Sequence, residues 1–114
     1  MRVALYSRYS SDRQNETSIE QQVRLLRARA ASEGWEIVGE YEDKALTGTN
    51  MLRPGLQQLM AVALDQQCDC ILSESLDRIS RDLADLAAMN KRLRHRGIQI
   101  VTLMEGTLRR CTLP

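Results

Sequence analysis

Short apolar runs alternate along the chain with longer segments whose apolar residues recur at helical spacing. The runs lie within residues 2–9, 35–41, 70–72 and 98–103, and their length is typical of buried strands in a parallel sheet. Between them, apolar residues recur every three or four positions, which predicts amphipathic helices. The pattern therefore predicts the order strand, helix, strand, helix, strand, helix, strand.

Local signals mark the ends of these helices. Ser18 and Gln21 form a capping box at the first helix, whose apolar face is Ile19, Val23, Leu26 and Ala30. Gly34 and Gly97 are suited to end the first and third helices, and Pro54 suits the first position of the second. The apolar faces of the second and third helices are Leu56, Leu59, Met60 and Ala63, and then Leu83, Leu86, Ala87, Asn90 and Leu93. The polar residues 42–52 predict a mobile surface loop.

This alternation predicts an α/β fold: an open, mostly parallel sheet with helices on both faces and right-handed crossovers. In such sheets ligands bind outside the carboxyl ends of the strands, where the strand order reverses. With an assumed order 2-1-3-4, that point lies between the first and third strands. No glycine-rich phosphate loop accompanies it, which weakens the alternative of a flavodoxin-like nucleotide- or phosphate-binding regulator.

Composition limits the number of domains and the kinds of binding site that the chain can form. A chain of 114 residues with 43% apolar content suits one domain with a real core. The formal charge of +1 argues against coating nucleic acid through bulk charge, so anion binding must be local. Three cysteines without paired spacing predict free thiols in a reducing cytoplasm, and one histidine far from them disfavours a zinc site. We expect no signal peptide and no membrane-spanning segment.

Charged side chains follow two of the predicted strands. Arg8 and Ser10 end the first strand, on one face if the strand is regular, and Asp77, Arg78 and Arg81 follow the third. Guanidinium groups grip phosphate through paired hydrogen bonds and can stabilise the charge that develops on a phosphodiester under attack. A serine among them is a candidate nucleophile, and no histidine is placed to act as its base.

These residues belong to a set of short motifs that resembles one family in order and separation. The motifs are Tyr6-x-Arg8-x-Ser10, Gln14, the helix start at residues 18–22, Asp43 with Gly48, Arg53-Pro54, and residues 76–82. Together they resemble the catalytic domain of the serine site-specific recombinases, the resolvase and invertase family, over residues 2 to 104.

The resemblance implies an activity and a set of roles. It implies that Ser10 cleaves DNA by joining to the 5' phosphate and that the DNA is later rejoined. Arg8, Arg78 and Arg81 would surround the scissile phosphate. Supporting roles would fall to Asp77, which would orient arginines or transfer a proton, and to Tyr6, Gln22, Asp43, Thr47 and Arg53. It implies no metal or other cofactor, a double-stranded DNA substrate, and self-association as dimers that meet in a tetramer on DNA.

Two departures from the family bear on this interpretation. Thr47 stands where the family usually has serine, which keeps the hydroxyl. Residues 1–104 would form the catalytic domain, but residues 105–114 end the chain where the family's long dimer helix would begin. We therefore expect a catalytic-domain fragment that is inactive by itself. The alternative is a truncated, non-catalytic interaction or phosphate-binding module of the same fold.

Overall fold

The computed structural model describes residues 1–10, 19–45, 54–80 and 82–108. Within these ranges nine elements follow in order: β1 (Arg2–Ser10), α1 (Ile19–Glu33), β2 (Glu36–Ala45), α2 (Pro54–Leu64), β3 (Cys70–Ser73), α3 (Leu76–Ile79), α4 (Leu83–His95), β4 (Gln99–Thr102) and β5 (Gly106–Leu108). The predicted strand, helix alternation is confirmed, and Gly34 and Gly97 adopt the positive φ angles expected after α1 and α4.

The strands form one sheet in the order β2-β1-β3-β4-β5. The pairs β1–β2, β1–β3 and β3–β4 are parallel, so the predicted order 2-1-3-4 of an open parallel sheet is confirmed. The sequence did not predict β5, which is only three residues long and pairs antiparallel with β4. Such a short strand offers too little alternation to be recognised from its own residues.

Helices cover both faces of the sheet. On one face α1 packs Leu26 and Ala30 against buried side chains of β1, β3 and β4. These are Val3, Leu5, Cys70, Leu72 and Val101. On the other face α2, α3 and α4 pack around an aliphatic core built on the following buried residues: Ala4, Tyr6, Leu59, Ala63, Ile71, Ile79, Leu86, Leu93 and Ile100. No helix in the described parts of the chain is long and apolar enough to cross a membrane.

Three local expectations were wrong in detail. The predicted loop at residues 42–52 begins later, because β2 continues to Ala45. Leu83, assigned to the buried face of the third helix, is 81% exposed, since it is the first residue of α4 and precedes the turn that reaches the core. In α1 the fully buried polar residue is Gln22, whereas Ile19 and Val23 are only partly buried.

A β-bulge in the β1–β2 pair decides which side chains of β2 face α2. Val3 pairs with Ile37 but Ala4 pairs with Gly39, so one extra residue of β2 opposes β1. Beyond the bulge, Tyr41 aligns with Tyr6 and Asp43 with Arg8. Because an inserted residue exchanges the two faces of a strand, Asp43 lies on the side of the sheet covered by α2.

The cysteines that the structure describes are free thiols in the interior. Cys68 and Cys70 are buried and form no disulfide, as the sequence predicted. Burial raises the pKa of the Cys70 thiol to about 12. Neither thiol is therefore an activated nucleophile. Cys111 lies outside the described residues.

Candidate functional site

Arg8 and Arg78 bond to each other's backbone just beyond the ends of the paired parts of β1 and β3. Arg8 Nε donates to the carbonyl oxygen of Arg78 at 3.0 Å, and Arg8 Nη2 donates to that of Asp77 at 2.9 Å. In return, Arg78 Nη1 donates to the carbonyl oxygen of Arg8 at 3.4 Å. Arg8 is half-buried and Arg78 is 8% exposed. The structure thus brings together two of the predicted arginines from segments 70 residues apart.

The helix α3 carries Asp77 and Arg78 and is only four residues long. Its amino end is bonded from outside: Glu105, in the turn between β4 and β5, accepts a hydrogen bond from the Leu76 amide through Oε1 at 3.0 Å. Ser75 Oγ donates to Asp77 Oδ1 at 2.5 Å, and the Asp77 side chain is exposed. Because one helical turn is unstable alone, these bonds and those from Arg8 hold the segment in place.

Gln22 binds the backbone of the same arginine. The strand β3 ends at Ser73, opposite Tyr6, so β1 has no neighbouring strand on that side at Arg8. The fully buried amide of Gln22 takes its place: Nε2 donates to the Arg8 carbonyl oxygen at 2.9 Å, and Oε1 accepts from the Arg8 amide at 3.2 Å. This pair of hydrogen bonds provides partners for both polar groups of the Arg8 backbone where β3 no longer does.

Asp43 joins β1 to the start of α2. Its carboxylate accepts three hydrogen bonds, from Tyr6 OH at 2.7 Å, the Gly55 amide at 2.8 Å and the Leu56 amide at 2.9 Å. The two amides are at the second and third positions of α2, which Pro54 begins as predicted. Asp43 therefore caps a helix from a separate strand, at a site that is only 8% exposed.

Close approach of α2 to β2 depends on Gly55. A Cβ atom placed there would overlap the backbone carbonyl oxygen of Glu42. Glycine removes that obstacle, so the first turn of α2 can reach the Asp43 carboxylate. The polar positions that the resemblance marked, Tyr6, Gln22 and Asp43, thus all make contacts that fix the strand end bearing Arg8 or the helix beside it.

Glu74 is a site residue that the sequence patterns did not predict. It follows β3 directly; its Oε1 accepts a hydrogen bond from Arg78 Nε at 3.1 Å and lies 3.0 Å from Arg78 Nη2 in an ion pair. The spacing of four residues between opposite charges was a usable signal. This spacing was not recognised because residues 74–81 form a polar run without a helical pattern of apolar residues.

Several predicted site residues lie wholly or partly outside the described part of the chain. Ser10 is the last residue of β1, aligned with Ala45 of β2, but its side chain is not among those described. Thr47, Arg53 and Arg81 are outside the described residues altogether. The arrangement of Ser10 among four arginines therefore stays a prediction, in which the contact between Arg8 and Arg78 is the described portion.

The chain matches a family model throughout this region. The model of the resolvase N-terminal domain matches residues 3–112, which include all of these predicted site residues. The chain belongs to the resolvase family. Its architecture and that match make it a resolvase-type serine recombinase catalytic domain.

Relatives and solved structures agree with this assignment. The resolvase domain is 35% identical over 66 residues to the Transposon Tn501 resolvase of Pseudomonas aeruginosa and to the Transposons Tn1721 resolvase of Escherichia coli. Each match covers 58% of this chain and 34% of the relative, so the chain spans about a third of those proteins.

Solved catalytic domains share the fold. The N-terminal catalytic domain of TP901-1 integrase superposes with a TM-score of 0.81 and 28% identity, covering 93% of this resolvase domain and 79% of that chain. The C-terminal catalytic domain of ISC1926 TnpA, an IS607-like serine recombinase, gives 0.78 and 27%, covering 90% of this domain and 67% of that chain.

Proposed function

We propose that this domain cleaves and rejoins double-stranded DNA through a covalent phosphoserine at Ser10. The observation that supports the proposal best is the contact between Arg8 and Arg78 at the carboxyl ends of β1 and β3, in a chain of the resolvase family. Two guanidinium groups at the reversal of a parallel sheet form an anion-binding arrangement. The end of β1 places the backbone of Ser10 two residues beyond Arg8.

The proposed reaction conserves the phosphodiester energy. Ser10 Oγ attacks the phosphorus and the bond to the 3' oxygen breaks. The DNA on one side of the break leaves with a 3' hydroxyl, whose oxygen takes up a proton from solvent, while the DNA on the other side stays joined to the serine through its 5' phosphate. The serine proton passes to solvent or to a nearby carboxylate, for which Asp77 is the exposed candidate. Attack by a 3' hydroxyl on the phosphoserine reverses the steps and joins the strands.

The arginines would supply electrostatic stabilisation. Negative charge on the non-bridging oxygens is greatest during attack, and preorganised guanidinium groups aimed there lower the barrier. We assign Arg8 and Arg78 to this role from their contact, and Arg81 and Arg53 from the family motif. Thr47 would support the phosphate through its hydroxyl.

The partners follow from the same proposal. Double-stranded DNA is the substrate, and the complete protein would act as dimers that assemble into a tetramer on two DNA sites. This domain alone would bind DNA weakly, since few phosphate contacts are available to release counterions. A cytoplasmic location is proposed on the free thiols alone.

A covalent-adduct assay tests the function. The complete gene product that contains this chain is incubated with random-sequence DNA duplexes, and strands that stay attached after denaturation are recovered and sequenced. We expect an adduct on Ser10 that disappears in Ser10→Ala. Ser32→Ala, an exposed serine of α1, is the matched control and should keep it. An adduct of undiminished yield in Ser10→Ala would refute the assignment.

Adduct formation, measured together with DNA affinity, distinguishes this function from the alternative of a non-catalytic module. A non-catalytic phosphate-binding module would form no adduct, and its DNA affinity would fall in Arg8→Ala or Arg78→Ala but not in Ser10→Ala. A recombinase would instead lose chemistry in Ser10→Ala while still binding DNA.

A further inference from the structure

Glu74 and Arg78 form an ion pair that is almost entirely withdrawn from solvent. Their side chains are 14% and 10% exposed, and a single carboxylate oxygen accepts a hydrogen bond from Nε and lies 3.0 Å from Nη2. Among the other ion pairs of the described residues, the partners are far more exposed; Arg29 and Glu33, at the same four-residue spacing, are 40% and 45% exposed. The buried pair therefore differs from an ordinary surface contact, which contributes little.

The ion pair links a segment with little helical structure of its own to the central sheet. The side chain belongs to α3, a helix of one turn. Glu74, in contrast, directly follows the central strand β3, and its carbonyl oxygen accepts from the Met104 amide at 3.1 Å. The backbone of Glu74 is thus fixed by the sheet. An arginine has many rotamers, and these must be restricted before its guanidinium can bind a ligand in one defined orientation.

The bonds also set which edge of the guanidinium faces which neighbour. The Nε and Nη2 side faces Glu74, and Nη1 faces the Arg8 carbonyl oxygen. Planar guanidinium groups bind phosphate oxygens along an edge, so rotation of this plane would change the alignment with a phosphate held by Arg8. A carboxylate this close also offsets the repulsion between two arginines brought to one place.

We propose that Glu74 is a positioning residue, which holds the Arg78 guanidinium in the plane needed to bind the scissile phosphate. The inference rests on the proposed function for its consequence on chemistry, but the orientation of Arg78 can be measured without it. A competing arrangement, in which Glu74 blocks Arg78 and must leave before phosphate binds, predicts the opposite effect on rate.

The first measurement is made on this chain alone. The Nε–H signal of Arg78, assigned by comparison with Arg78→Lys, should show slow exchange with water in nuclear magnetic resonance spectra because its proton is bonded and buried. We expect fast exchange or loss of the signal in Glu74→Ala and a retained but shifted signal in Glu74→Gln, which keeps an acceptor oxygen. Glu33→Ala, which breaks the exposed pair of equal spacing, should leave the signal unchanged.

The second measurement follows adduct formation by the complete gene product. Misplacement of a catalytic group by about 1 Å costs about a hundredfold, so we expect Glu74→Ala to slow the chemical step by about tenfold to a hundredfold. The DNA concentration for half-maximal rate should change little. Glu74→Gln should recover much of the rate, which a purely electrostatic effect would not produce.

Each result has a distinct meaning. Failure of the unaltered protein to form an adduct overturns the proposed function, whereas an adduct that forms as fast in Glu74→Ala overturns only this inference. A faster rate in Glu74→Ala or Glu74→Gln also overturns it and supports the blocking arrangement. If Glu74→Ala does not fold, Glu74→Gln decides: an unshifted Arg78 signal with an unchanged rate refutes the positioning role.

Discussion

Removal of the Asp43 carboxylate should destabilise the domain strongly, although the residue sits in a polar stretch of an edge strand. Asp43→Ala would leave the Tyr6 hydroxyl and the amides of Gly55 and Leu56 without their acceptor. A lost helix cap costs about 1 kcal/mol, and a buried unsatisfied donor costs about 1–3 kcal/mol. The expected loss is therefore about 2–4 kcal/mol of unfolding free energy, a large part of the stability of a small domain.

The amide variant sharpens this prediction. All three partners of Asp43 are donors, and a carboxylate can accept from each of them. Asparagine has one acceptor oxygen, and its NH₂ group would face a donor. Asp43→Asn should therefore resemble Asp43→Ala more than the unaltered chain in urea unfolding followed by circular dichroism. Asp65→Ala is the control: this carboxylate is exposed, and the change should cost less than about 0.5 kcal/mol.

A double-mutant cycle with Tyr6→Phe isolates the buried bond. Hydrogen bonds to charged groups are worth about 1.5–3 kcal/mol, so Tyr6→Phe should be destabilising by itself. In the Asp43→Ala background the same change removes a hydroxyl that already lacks this partner, and it should be neutral or stabilising. Equal costs of Tyr6→Phe in the two backgrounds, or a cost of Asp43→Ala below about 0.5 kcal/mol, would refute the reasoning.

Three further outcomes can be checked on this chain. Gly55→Ala should lower the unfolding free energy by about 1–3 kcal/mol in a urea titration, because the alanine Cβ would overlap the Glu42 carbonyl oxygen. This cost should exceed the gain from the higher helix propensity of alanine, and an unchanged or higher urea midpoint would contradict the prediction. Burial raises the pKa of the Cys70 thiol to about 12, so Cys70 should stay unmodified by iodoacetamide at about pH 8 in the folded chain but react in urea. Peptide mass spectrometry measures the modification, and alkylation of the folded chain at the rate of a free thiol would contradict this prediction. The hydrogen bond from Arg27 lowers the pKa of Glu40, so the pair contributes stability above the ordinary carboxyl pKa, and this stability is lost as pH falls through the folded-state pKa. Because the pair is exposed, Glu40→Gln should make the acid-side loss of stability only slightly shallower in unfolding measured against pH; an equally steep loss in Glu40→Gln would exclude the pair as its source.

The proximity of Arg8 and Arg78 could be predicted from the sequence because it depends only on the direction and order of the strands that precede them. Arg8 and Arg78 are far apart in sequence, but each follows a strand whose direction was predictable from the strand, helix alternation. Because parallel strands end at the same edge of a sheet, adjacency of β1 and β3 was enough to bring the two arginines together. The order of the strands was the assumption in that step, and the structure confirms it.

The parts that sequence patterns missed depend on contacts from other elements. Gln22 has the sequence pattern of a surface residue on an amphipathic helix, but it is buried and bonds to the backbone amide and carbonyl of Arg8. Asp43 looks like a loop residue, but a bulge in β2 turns it toward donors on β1 and α2. The helix α3 has four residues, too few to show a helical period. None of these features could be read from its own segment.

The non-local contacts imply that the arginine site and the folded sheet form together. Arg8 bonds to carbonyl oxygens of α3, and Gln22 of α1 bonds to the backbone of Arg8. A one-turn helix gains little from its own hydrogen bonds, so its order depends on outside contacts, among them those from Arg8 of β1 and from Glu105. Loops and turns that depend on a few long-range contacts open more readily than core strands. The segment that carries Asp77 and Arg78 is therefore the part of the described site whose order is most sensitive to changes elsewhere, and a substitution at Gln22 should disturb Arg78 without touching it.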